Sequence, residues 1–179
     1  MSRIVIFGNS GSGNSTLAAA LAREGGVEHL DLDTLAWNKM SPTQRTSLTE
    51  CRNDLARFIQ ANDEWVIEGC YSDLLSLPIS HCNKLIFLNP GIETCIRNCR
   101  SRPWEPHKYS SVQAQNQNLE MLIRWVREYE TRDDEFSLRR HRQLFAEFDG
   151  EKVEYTDNIQ MLTKPCTRPA KTHACDGGH

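Results

Sequence analysis

Gly8-Asn9-Ser10-Gly11-Ser12-Gly13-Asn14-Ser15-Thr16 is the stretch whose reading decides the fold. Before it stands the apolar run Ile4-Val5-Ile6-Phe7, the signature of a short buried strand. After it, Ser15 to Arg23 is rich in alanine and leucine and reads as a helix that Gly25-Gly26 stops. A glycine-rich loop between a strand and a helix can curl successive backbone N–H groups toward a phosphate, and the helix N-terminus adds to the same anion site. Such a loop wants Gly, four residues, Gly, Lys, then Ser or Thr. Every position matches except one: Asn14 stands where the lysine belongs.

That exchange is chemically large. Lysine brings a full positive charge to the β and γ phosphates, whereas asparagine offers a neutral amide on a shorter arm. Losing one such contact typically costs about 10²–10³ in rate. Three explanations stand open: an impaired variant, an arginine from elsewhere in the chain, or a protein that binds a nucleotide without turning it over. Ser15 is expected on Mg²⁺ and Thr16 on a phosphate.

Working outward, His29-Leu30-Asp31-Leu32-Asp33 reads as a second strand, Trp65-Val66-Ile67 as a third, Lys84 to Leu88 as a fourth and Lys152 to Tyr155 as a last. Helical patterns fall between them at 43–62, 92–100, 113–130 and 137–148, while Pro103 and Pro106 leave 101–112 irregular. Leu48, Cys51, Leu55, Phe58 and Ile59 are expected on one face of the first of these, and Leu119, Leu122, Ile123 and Val126 on one face of the third. Strands alternating with helices predict an α/β fold with a parallel sheet and crossover helices.

Ligands bind at the carboxyl edge of such sheets. Asp31 and Asp33, two apart at a strand end, are expected on the same side, where one could take a proton from an attacking hydroxyl or hold Mg²⁺. Trp37 either walls a small-molecule pocket or fills the core. Glu68 takes the place of a carboxylate that orients magnesium or water, Gly69 leaves room for a substrate, and Cys70-Tyr71 follow. Arg97, Arg100 and Arg102, then Pro103-Trp104-Glu105-Pro106-His107-Lys108-Tyr109, form a basic and aromatic segment where a mobile lid is expected. Arg124, Arg127 and Arg132 could also reach the site, whereas Arg139, Arg140 and Arg142 read as a surface patch. No histidine is assigned to catalysis.

Bulk properties narrow the classes. A chain of 179 residues predicts one domain, with an ordinary share of hydrophobic residues at 39%. A net charge of −3 gives no basic field for nucleic acid or a membrane surface. The start Met1-Ser2-Arg3 is unlike a signal peptide, no apolar run approaches the roughly 20 residues of a membrane span, and the reading is cytoplasmic. The seven cysteines form no Cys-x-x-Cys pair and read as buried or half-buried reduced thiols. The tail from Thr163 to His179 has no periodicity and reads as disordered or non-native; Cys166, His173, Cys175 and His179 match no closed zinc pattern.

Taken together, Gly8–Thr16, His29 to Asp33 with Trp37, and Trp65 to Tyr71 resemble the small bacterial P-loop kinases, among them proteins of shikimate kinase-like, adenylate kinase-like and DNA topology modulation (FlaR-related) type. The resemblance spans about residues 3–158. It implies a three-layer α/β/α P-loop kinase fold with a five-stranded parallel sheet and a helical lid. It also implies ATP with Mg²⁺ as cofactors, and a nucleotide and a small-molecule acceptor as partners. The expected layout is one domain over 1–162 with a lid at 97–135, as a monomer or homodimer that binds no nucleic acid or membrane. By the same resemblance, Gly8, Asn9, Ser10, Gly11, Ser12, Gly13, Asn14, Ser15 and Thr16 hold the phosphates. Ser15 and Asp33 hold the metal. Asp33, Arg97, Arg102 and Arg132 are the expected catalytic residues, and Asp31, Trp37, Glu68, Gly69 and Tyr71 contact the acceptor. Glu68-Gly69-Cys70 is neither the Gly-Gly-Gly of shikimate kinases nor the Asp-Gly-Phe-Pro-Arg of nucleotide monophosphate kinases, so neither label fixes the acceptor.

Overall fold

Ile4 to Phe7 and Leu85 to Leu88 are buried on both sides and carry no polar alternation, which suits strands in the middle of a parallel sheet. The computed structural model describes residues 1–38, 41–106 and 109–158. Its main sheet has the order β2-β5-β1-β6-β7, all parallel, formed by β1 (Arg3–Gly8), β2 (Glu28–Asp31), β5 (Trp65–Gly69), β6 (Lys84–Leu88) and β7 (Glu151–Tyr155). Helix α1 (Asn14–Gly25) covers one face, with Ala18 and Ala22 against Ile4, Ile6, Val66 and Ile86. On the other face lie α3 (Leu48–Ala61), α4 (Ser72–Ile79) and α7 (Leu138–Glu147), packed on Val5, Phe7, Trp65, Ile67 and Phe87. Helices α5 (Ile92–Ser101) and α6 (Val112–Arg127) build a separate small core from Cys95, Ile96, Cys99, Ile123 and Val126.

Several expectations need correction. The second strand ends at Asp31, and Asp33 opens the short helix α2 (Asp33–Ala36), so the argument that Asp31 and Asp33 share a sheet face fails. Asp31 causes this itself: its Oδ1 accepts the Asp33 N–H at 2.8 Å and turns the chain out of the ladder. The helix expected from 43 starts later. Trp37–Asn38 and Ser41–Arg45 pair as the antiparallel strands β3 and β4, and α3 begins after Ser47, whose hydroxyl accepts the Glu50 N–H. Leu48, expected on the buried face, is exposed. Helix α4 was not anticipated, because Pro78 in its last turn masks the pattern. The helix expected over 113–130 ends at Arg127 and tightens into a 3₁₀ turn over Glu128–Glu130.

The tail 163–179 with its cysteines and histidines, and His107 and Lys108 of the basic segment, lie outside the described residues. Among the described residues, no helix is long and apolar enough to cross a membrane.

Candidate functional site

The loop after β1 lies where the sheet order reverses, with β5 on one side of β1 and β6 on the other. Gly11 (φ +80°) and Gly13 (φ +103°) both take the left-handed conformation, which lets the backbone curl there without a Cβ penalty. A Cβ on Gly11 would sit 2.4 Å from the Cys95 carbonyl oxygen and 2.7 Å from Cys99 Sγ, so α5 presses directly on the loop. Further bonds fix it in place. Asn98 Nδ2 donates to the Gly11 carbonyl at 2.8 Å, Asn9 Nδ2 donates to the Val126 carbonyl at 3.1 Å, and Asn9 Oδ1 accepts the Ser10 N–H at 2.8 Å. The first intrahelical bond runs from Leu17 N–H to the Gly13 carbonyl, leaving the N–H groups of Asn14, Ser15 and Thr16 at the open end of α1. Ser15 and Thr16 are exposed there, while Asn14 is buried and its Oδ1 accepts the Ser12 hydroxyl at 3.0 Å.

Two carboxylates at the carboxyl ends of β5 and β2 face the α1 side of the sheet. Glu68 pairs in register with Ile6 and with Asp31, so both carboxylates share the face of Ile6. Glu68 is only 2% exposed, and its Oε1 has no hydrogen-bond partner; His29 Nε2 stands 3.7 Å away. A buried carboxylate oxygen left in that state fits a cation. Magnesium is commonly held by one or two carboxylates, a hydroxyl and the phosphates themselves. Asp31, Glu68 and Ser15 therefore meet the chemistry of Mg²⁺ with a phosphate chain, and the curled loop meets that of the phosphates. Asn14 is the one misfit.

Asp33 belongs to a different cluster. The Tyr71 hydroxyl donates to Asp33 Oδ1 at 2.6 Å and accepts the Trp37 indole N–H at 2.9 Å. Burial pushes the Tyr71 phenol far above its usual pKa, the neighbouring Cys70 and Asp33 add to the shift, and the group stays a donor. Trp37 is 42% exposed, so it does not fill the core. Gly69 does not face open space. It is buried, and a Cβ there would meet Leu32 Cβ at 2.9 Å, so its missing side chain makes room for Leu32 rather than for a substrate. Arg45, absent from the expected set, packs over the Tyr71 and Phe136 rings and bonds Asp73 (2.8 Å) and Glu135. It lay hidden in a stretch read as helix.

The arginines divide sharply. Arg97 is exposed and bonds Thr94 Oγ1, while the loop-facing side of α5 carries Cys95, Asn98 and Cys99. Arg102 pairs with Glu105 at 3.4 Å in a crevice between α5 and α6. Arg132 is nearly buried, lies 4.2 Å over the Trp125 ring and donates to the Trp125 carbonyl and to Glu128.

No family model matches the chain, and a search of curated proteins finds no match. Among solved structures, a shikimate kinase from Bacteroides thetaiotaomicron superposes with a TM-score of 0.51 at 17% identity, over 90% of this chain and 92% of that one. The chain has the P-loop kinase fold. Also similar are shikimate kinase from Acinetobacter baumannii in complex with shikimate (TM-score 0.49, 14% identity, 90% of this chain and 93% of that one) and a gluconokinase from Sinorhizobium meliloti 1021 (0.48, 19%, 86% and 82%). At these identities the likeness concerns the fold alone. Within the P-loop kinase fold, residues 8–16 occupy the loop after the first strand, and Glu68 the end of the strand beside it.

Proposed function

We propose that this chain binds ATP with Mg²⁺ at Gly8–Thr16 and transfers the γ-phosphoryl group to a small-molecule hydroxyl or phosphate acceptor, at a rate held down by Asn14. The observation that carries this reading is the curl of the loop, with Gly11 and Gly13 at positive φ on either side of buried Ser12, opening directly into α1. Backbone N–H groups there suit phosphate oxygens. Ser15 with Asp31 and Glu68, in place of the expected Asp33, which bonds Tyr71, would hold the metal, and its charge would offset that of the phosphates. Asp33, oriented by Tyr71, is the proton acceptor on the acceptor side.

For a hydroxyl acceptor the chemistry closes as follows. Its oxygen bonds to the γ-phosphorus, the bond to the β–γ bridging oxygen breaks, ADP leaves with that electron pair, and the hydroxyl proton passes to the Asp33 carboxylate. The helical region within 97–135 acts as a lid that excludes water, with Arg97 and Arg102 riding on it.

Thermal denaturation with Mg²⁺ and ATP tests the reading. Ligand at 100 times the dissociation constant is expected to add about 2.7 kcal/mol of stability. No shift with ATP, ADP or inorganic phosphate removes the proposal. A second reading, a nucleotide-binding module without turnover, is favoured by the Ser12–Asn14 bond that keeps the amide inside the loop. Release of ADP across a panel of acceptors separates the two.

A further inference from the structure

The geometry points to an open binding site for one transition-metal ion, held between His29 Nε2 and Glu68 Oε1 at the edge of the sheet. The inference shares Glu68 with the metal assignment proposed above and deepens it. Its test runs without nucleotide, so that the two can fail separately.

The ladder brings the two side chains together. In the register of β2 with β5, His29 stands opposite Val66 and Asp31 opposite Glu68. Side chains two apart in a strand share a face. His29, Asp31 and Glu68 therefore lie on the α1 side, where Val66 clusters with Ala18 and Ala22. Strand β2 is an edge of the sheet. The His29 side chain is 27% exposed there, whereas that of Glu68 is 3% exposed. An ion entering from the edge meets a carboxylate that water barely reaches.

Both donors have bonding capacity to spare. Nε2 of His29 and Oε1 of Glu68 are buried, and neither has a hydrogen-bond partner. They stand 3.7 Å apart, too far for a hydrogen bond. Burying two polar atoms in this way is costly unless something joins them. Two donors that share a tetrahedral ion at about 2.0–2.2 Å lie about 3.3–3.6 Å apart, so a small side-chain rotation closes the difference. Asp31, opposite Glu68, adds negative charge on the same face. Among the described residues, no three His, Cys, Asp or Glu side chains gather to enclose an ion. The site is accordingly open, with water filling the remaining positions.

The donor pair also selects the metal. Mg²⁺ takes oxygen ligands and keeps its waters, whereas an imidazole nitrogen beside a carboxylate suits Zn²⁺ and its transition-metal neighbours. His29 therefore makes this end of the sheet a better host for Zn²⁺ than for Mg²⁺.

The test titrates Zn²⁺ alone into the nucleotide-free native chain, His29→Gln and Glu68→Gln. Binding is followed by calorimetry and by the ¹⁵N resonances of the histidine imidazoles. The His29 resonance is identified by its absence from His29→Gln. In the native chain, Zn²⁺ is expected to shift the His29 Nε2 resonance, and Mg²⁺ to leave it in place. Each substitution is expected to weaken Zn²⁺ at this site at least about tenfold. Any metal taken up by the cysteines and histidines of 163–179 is common to all three chains, so the difference between chains is the reading. A histidine that merely pairs with Glu68 would keep its resonance through the titration. An unmoved His29 resonance, or equal Zn²⁺ uptake by native and folded His29→Gln chains, overturns the inference. If Glu68→Gln does not fold, the native resonance and His29→Gln decide. A native chain that shows the Zn²⁺ shift but binds no Mg²⁺-ATP refutes the nucleotide reading and leaves this site standing; one that binds Mg²⁺-ATP without the shift does the reverse.

Discussion

The hydroxyl of Ser12 donates to Oδ1 of Asn14 at 3.0 Å, with both side chains buried inside the phosphate loop. A lysine at position 14 would reach out of the loop toward a bound nucleotide; this asparagine is folded back onto the loop's own wall. The bond stabilises the loop and, on the function proposed above, turns the side chain of residue 14 away from the γ-phosphate. On the function proposed above, binding and turnover separate, since the backbone curl does not depend on the side chain of residue 14.

Asn14→Lys is expected to raise ADP release by about 10²–10³ in kcat, the size of one lost electrostatic contact in such a site. Nucleotide-free thermal stability is expected to fall by about 1 kcal/mol, because the exchange breaks the buried Ser12–Asn14 hydrogen bond. A coupled assay of ADP release, run across hydroxyl and phosphate acceptors, measures it; no rise with any acceptor favours the binding module.

Gly11→Ala attacks the cradle instead. The residue sits at φ +80° with the Cys95 carbonyl 2.4 Å from the new methyl, so the loop or α5 must move. Strained left-handed backbone alone costs about 1–3 kcal/mol. The expected result is a lower melting temperature together with loss of the shift induced by Mg²⁺-ATP.

Tyr71→Phe removes the donor to Asp33 and the acceptor of the Trp37 indole in one step. Transfer to an acceptor is expected to fall by about tenfold, the worth of a charge-assisted hydrogen bond that orients a reacting group. Nucleotide binding should persist, because neither Asp33 nor Tyr71 belongs to the loop. Calorimetry with Mg²⁺-ATP beside the activity assay separates the two effects.

Glu68→Gln should move stability and function in opposite directions. The buried Oε1 has no hydrogen-bond partner, and exchanging this desolvated carboxylate for a neutral amide removes a buried charge at a gain of about 1–3 kcal/mol. The nucleotide-free variant is expected to melt higher, while the Mg²⁺ concentration needed for half-maximal ATP binding rises. Melting curves and a magnesium titration check both signs.

His141 gives the fold an acid limit. It is fully buried, its two ring nitrogens engaged with the Tyr129 hydroxyl at 2.7 Å and the Cys70 carbonyl at 2.9 Å. Burial lowers its pKa from the ordinary value of 6.5 to about 4, against a smaller raising effect of the Cys70 carbonyl. Between those values the unfolded chain holds more protons than the folded one, so stability rises with pH through that window and is lost as pH falls from 6.5 toward 4. The swing is about 3 kcal/mol. Urea unfolding from pH 4 to 7 is expected to show this limb, and His141→Gln to flatten it.

Much of the architecture was legible because its signals are local. Ile4 to Phe7, Trp65 to Ile67 and Lys84 to Leu88 carry enough continuous apolar character to declare buried strands, and Gly8 to Thr16 declares its loop by glycine spacing. The antiparallel pair of Trp37–Asn38 with Ser41–Arg45 was not legible in the sequence. Its strands are short, and Ser41-Pro42-Thr43-Gln44-Arg45 has little strand character of its own. Arg45, which organises Asp73 and Glu135 around Tyr71, went with it. Asp33 was placed on the wrong surface because a period-two argument holds only while the strand lasts, and Asp31 ends the strand by capturing the Asp33 N–H.

By itself the sequence determined the glycine-rich loop between strand and helix, the asparagine at position 14 and the alternation of strands with helices. Each of these depends on residues close together in the chain, where backbone sterics and side-chain periodicity act directly. Only the tertiary structure decided that Asn14 bends back on Ser12, that Glu68 lies buried beside His29, and that Arg132 lies over Trp125 while Arg97 stays exposed. Those outcomes turn on contacts between segments dozens of residues apart, settled by how the helices pack on the sheet and by which polar atoms that packing leaves unpaired.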